Sequence, residues 1–126
     1  MHHRPRPVFL NLFQIHFPIT AITSIAHRVS GVFLFLCMPC MLWLWKVVLG
    51  SAADYQRILD CLAEPYARVA VWLMLSSFGF HLLAGLRHVF MDISWLSCEK
   101  KTANISAYGL WLLAIVWFVL LGMRLW

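Results

Sequence analysis

Two short clusters in this sequence hold the residue types that do chemistry, and both sit in or beside apolar runs. The first is Phe78, His81, Gly85 and His88, at i, i+3, i+7 and i+10, so they fall on one helical stripe. An ionisable side chain inside a membrane span is costly unless it serves a function or finds a partner. A neutral imidazole is a standard axial ligand for haem iron. Gly85 carries no side chain and would let a flat macrocycle approach the helix. His88 lies roughly 10 Å further along at 1.5 Å per residue, a distance that suits a haem propionate. Arg87 beside it would add a second cation. The plainer reading is that His81 only hydrogen-bonds a neighbouring helix.

The second cluster is Ser24, His27, Arg28 and Gly31, at i, i+3, i+4 and i+7, again one face. A serine hydroxyl and an arginine at the membrane rim can donate to a carbonyl and stabilise negative charge developing on it. That is what a quinone head group needs on reduction. The plainer reading has Arg28 snorkelling to mark orientation and Ser24 closing a helical turn.

The surrounding composition says what must hold these clusters. The chain has 126 residues, of which 63% are hydrophobic and 12% charged. Soluble proteins carry roughly 25% charged residues, so the solvent for most of this chain is expected to be lipid. Charge-free runs at Val29–Trp45, Val69–Leu86 (with His81 neutral) and Thr102–Met123 approach or reach the roughly 20 residues a membrane-crossing helix needs. Snorkelling Lys and Arg extend the two shorter ones. The expected architecture is all-α and integral to the membrane. Residues 1–126 form one anchor domain, with an N-terminal tail at 1–16 and helices at about 24–49, 66–92 and 102–125. Phe17–Ala26, uncharged and rich in Ser and Thr, is expected at the interface, leading into the first helix. Pro39 is expected to kink that helix, and Pro65 to start the second. The 50–65 loop, with Asp54, Arg57, Asp60 and Glu64, has room for a short helix.

No apolar h-region with a small-residue cleavage site follows MHHRPRPVF, so no cleaved signal peptide is expected. The net charge of +5 resides mainly at helix ends and tails, which favours membrane orientation over nucleic-acid binding. Arg4, Arg6, Arg28, Arg87, Lys100 and Lys101 lie on one side, and Lys46, Arg57, Arg68 and Arg124 on the other. This bias places the N-terminus in the cytoplasm, or in the matrix if the protein is mitochondrial, and the C-terminus outside. Trp43, Trp45, Tyr66, Trp95, Tyr108 and Trp126 fit interfacial belts. Cys37-x-x-Cys40 lies within an apolar span and reads as packing; with Cys61 and Cys98 it supports neither a disulfide framework nor a zinc site. This topology puts His27, Arg28, Arg87 and His88 at the same rim, with His81 deeper, so the two clusters describe one site.

The runs RPVFLNLFQIHFPITAITSIAHRVSG (Arg6–Gly31) and HLLAGLRHVFMD (His81–Asp92), with the three-span layout, resemble the larger cytochrome b anchor subunits of succinate dehydrogenases over nearly the whole length. The resemblance implies a four-subunit complex in a bacterial inner membrane. In it a flavoprotein oxidises succinate, an iron–sulfur subunit relays electrons, and two anchors bind haem b and ubiquinone in a shared bundle. It implies His81 as an axial haem ligand, with the second from the smaller anchor. It further implies Ser24 and Arg28 at the quinone, and His27 and His88 near the propionates. Alternatives are a haem-free structural anchor or the equivalent anchor of a fumarate reductase. A small transporter is a poor fit, since the sequence shows neither internal repeats nor paired broken helices.

Overall fold

The computed structural model describes residues 17–93 and 99–126. The expected tail at 1–16 and part of the second loop, with Arg4, Arg6, Trp95 and Cys98, lie outside these residues. The described chain folds into four helices: α1 (Ile19–Val48), α2 (Ala52–Ala63), α3 (Pro65–Asp92) and α4 (Lys100–Leu125). Of these, α1, α3 and α4 are long and apolar enough to cross a membrane, as the charge-free runs predict.

α1 begins at Ile19, earlier than expected. The Pro18 carbonyl accepts from the Ala21 and Ile22 amides. The Ser/Thr-rich segment is helical because its hydroxyls are satisfied locally. Thr23 Oγ1 donates to the Ile19 carbonyl one turn back (2.8 Å) and accepts from Trp111 Nε1 of α4 (3.0 Å). The side chain that looked interfacial is fully buried. The helix continues through Pro39, where the missing N–H is tolerable in a bundle.

The 50–65 segment contains α2. Its N-cap Ser51 accepts from the Asp54 amide (3.1 Å), and Asp54 in turn pairs with Arg57 (3.1 Å). Pro65 opens α3 at its first position, and the preceding Glu64 is held extended, as proline requires of its neighbour.

α3 packs against both α1 and α4. The buried positions are mostly small: Ala67, Ala84, Ala107, Thr23 and Ser30. Without a hydrophobic drive in lipid, close approach of small residues and interhelical hydrogen bonds supply the adhesion. Large side chains such as Phe35 (67% exposed) and Leu36 (69%) point outward from the helices.

The α3–α4 seam is tied by indoles that donate across it: Trp72 Nε1 to the Phe118 carbonyl (2.9 Å) and Trp117 Nε1 to the Leu75 carbonyl (3.1 Å). Gly79 makes room for Trp117, whose indole a Cβ at that position would strike. Cys37, Cys40 and Cys61 are unpaired and line an apolar cavity of about 490 Å³ between α1, α2 and α3.

Candidate functional site

The α1–α3 seam brings the two sequence clusters together. His27 of α1 stacks on His81 of α3 with ring centroids 4.2 Å apart and planes 29° apart. His88, two turns along α3, lies 5.3 Å from His27, ring centre to ring centre. His27 is thus the middle of a three-imidazole row contributed by two helices.

Glycines on both helices make the row possible. A Cβ at Gly31 would stand 2.9 Å from His81 Cε1, closer than real side chains approach, so only glycine lets this imidazole lie against α1. The space above Gly85, expected to admit a macrocycle, is occupied by His27: a Cβ there would meet His27 Nε2 at 3.7 Å. Gly85 therefore faces an imidazole of the same chain, and Gly31 is the glycine that His81 requires.

The polar atoms of the row are unequally satisfied. Ser30 Oγ donates to the His27 carbonyl at 2.8 Å. His81 Nδ1 lies 3.1 Å from that carbonyl and 3.0 Å from Ser30 Oγ. His27 Nε2 is buried without a hydrogen-bond partner among the described residues. A buried nitrogen in that state is uncommon in a complete structure, and it marks a place where a further polar group belongs. Ser30 had not been singled out from the sequence. Its signal was there in the H-R-x-S-G run, where serine sits one turn after His27.

The remaining expected residues divide. Ser24 is half-buried and Arg28 exposed, one helical turn apart on α1. Among the described residues, neither the hydroxyl nor the guanidinium makes a hydrogen bond or ion pair. Arg87 turns away from the histidine row. Only 7% exposed, it donates from Nε to Ser106 Oγ (3.0 Å) and from Nη2 to the Ala103 carbonyl (2.9 Å), both on α4. Being next to His88 in sequence puts Arg87 about 100° round the helix, at the α3–α4 seam. In this arrangement its side chain ties α3 to α4.

The arrangement fits a prosthetic group better than a bare ion. Among the described residues, no set of three or more His, Cys, Asp or Glu is placed to hold a metal ion, and the imidazoles stack instead of converging their nitrogens. A haem brings its own equatorial ligands and asks the chain for one axial nitrogen and polar neighbours. His81, with Nδ1 engaged on α1, and the unpartnered His27 Nε2 meet that requirement.

Residues 2–122 match the sequence model of the succinate dehydrogenase/fumarate reductase transmembrane subunit family. The chain is 42% identical to a protein of Coxiella burnetii named succinate dehydrogenase cytochrome b556 subunit, over 96% of this chain and 97% of that protein. Proteins of the same name from Rickettsia bellii and Paracoccus denitrificans are each 28% identical. The first match covers 94% of this chain and 90% of the relative; the second covers 83% and 80%.

Proposed function

Because the chain belongs to the succinate dehydrogenase/fumarate reductase transmembrane subunit family, we propose that it is the cytochrome b anchor of a succinate:ubiquinone oxidoreductase in a bacterial inner membrane. In this reading it shares one haem b with a smaller anchor subunit. At the cytoplasmic face it docks the iron–sulfur subunit, which carries electrons from the flavoprotein. It also lines the pocket where ubiquinone is reduced. The relatives compared are named for succinate oxidation, and the proposal follows that direction.

The observation that carries this reading is the environment of His81, an imidazole deep in a membrane helix with Nδ1 hydrogen-bonded to the α1 backbone. Metal-ligating histidines characteristically use their second nitrogen in this way. His81 would hold the iron, and His27 and His88 would supply polar contacts toward the propionates. When bound, the haem supplies a one-electron store beside the quinone.

At the rim, Ser24 can give one hydrogen bond to a quinone carbonyl. Arg28 adds a permanent positive charge and further donors. The two leave from one face of α1 and, among the described residues, make no hydrogen bond or ion pair, so their donors are free for an entering ligand. Exposed apolar neighbours such as Ile25 and Val29 let a prenylated head group arrive laterally from the bilayer.

The test is His81→Ala in the assembled complex, read by the reduced optical spectrum and by haem extraction. Haem b is expected to be lost or severely perturbed. Retention of an unchanged bis-imidazole spectrum would assign the ligand to another residue. A wild-type complex that extracts without haem would leave the haem-free anchor as the correct reading.

A further inference from the structure

Three atoms at the α1–α3 seam constrain one another more tightly than the haem reading requires. The His27 carbonyl oxygen can only accept. Ser30 Oγ has one proton, and at 2.8 Å it gives that proton to this carbonyl. His81 Nδ1 faces both oxygens, at 3.1 Å and 3.0 Å. A bare Nδ1 would set a lone pair against the carbonyl lone pairs, and the serine proton would be the one donor available to two acceptors. A protonated Nδ1 resolves all three contacts at once: its N–H is shared between the carbonyl and the serine oxygen, while the hydroxyl proton stays on the carbonyl.

We infer that Ser30 is a positioning residue which, with the His27 main-chain carbonyl, holds His81 in the Nδ1–H tautomer and turns its Nε2 lone pair to the ligand. The inference rests on the haem reading for what Nε2 binds, but the tautomer itself follows from this chain's own atoms. Ser30 is 8% exposed, so water does not replace it easily. Gly31, the next residue, brings the His81 ring close enough for the contact to form. The serine oxygen also has an electronic effect. An acceptor on the far nitrogen raises the basicity of the ligating one, which favours the ferric over the ferrous state. Second-shell hydrogen bonding is one of the levers by which a protein sets haem potential.

The experiment uses the purified four-subunit complex carrying Ser30→Ala or Ser30→Thr. Haem content, the haem midpoint potential and the low-spin electron paramagnetic resonance of the oxidised haem are measured. Ser30→Ala is expected to keep its haem, shift the potential upward and move the resonance, and Ser30→Thr, which restores the hydroxyl, to return both toward wild type. An unchanged or lowered potential in Ser30→Ala overturns the inference. Should that variant fail to assemble, nitrogen NMR decides on the wild-type complex, labelled with ¹⁵N-histidine and chemically reduced. A proton bonded to His81 Nδ1 supports the assignment and a proton on Nε2 overturns it. Failure of the haem reading looks different: His81→Ala would then keep its haem, or the complex would contain none, while the nitrogen spectrum would still report the tautomer.

Discussion

The two interfaces of α3 are built for different purposes. At the α3–α4 seam two indoles donate to backbone carbonyls and Arg87 is satisfied by Ser106 and Ala103, while the buried Ser76 hydroxyl facing α4 has no hydrogen-bond partner among the described residues. At the half of the α1–α3 seam nearer the start of α1 three imidazoles are crowded together, and among the described residues one of their nitrogens has no hydrogen-bond partner and Ser24 and Arg28 hold donors that are not used. In lipid, where water cannot make up a missing hydrogen bond, the completed bridges between α3 and α4 are adhesion, and the imidazole row with its open nitrogen beside two unused donors is the candidate site. The contrast also sorts two adjacent residues, Arg87 and His88, into different roles.

Perturbing the proposed quinone rim is expected to have the largest functional effect after loss of the proposed haem ligand, His81. Ser24→Ala and Arg28→Leu should each lower succinate–quinone reductase activity by about ten- to a hundredfold. That is less than the 10²–10³ typical of one oriented donor in a dry site, because the rim is partly wet. Succinate oxidation by an artificial acceptor at the flavoprotein should persist in the same preparations. Normal quinone reduction by both variants in intact complex would leave Arg28 as an orientation marker only.

The two glycines of the histidine row sharpen the comparison within one seam. Gly31→Ala must displace the His81 ring, and we expect haem retention to weaken about tenfold, the lower end of what disturbing a ligand's support costs. Gly85→Ala meets His27 at an ordinary contact distance and should leave haem retention close to wild type. Haem-to-protein ratios after detergent washing compare the two; equal losses would remove the distinction.

Gly79→Ala addresses the other seam and should have the smallest effect on function. The added methyl group meets Trp117, which its hydrogen bond to Leu75 holds in place. Overpacking of this kind costs about 1–3 kcal/mol, visible as a lower unfolding temperature of the complex. The haem spectrum should not change, and a spectral shift would mean that the two seams are coupled.

The sequence by itself determined the number of spans, because lipid tolerates only long uncharged helices, and length and charge are readable without coordinates. It also singled out His81, Ser24, Arg28, His27 and His88, since helical spacing alone groups residues on one face. The true start of α1 was hidden because Ser and Thr look interfacial until their hydroxyls find helix carbonyls and an indole on α4. The tertiary structure decided what depends on a second helix. It turned Arg87 toward α4, assigned Gly31 to His81 and Gly85 to His27, and added Ser30 to the site. Periodicity fixes the face from which a side chain leaves its own helix. Which atom meets it there depends on how closely, and in what register, the neighbouring helix packs.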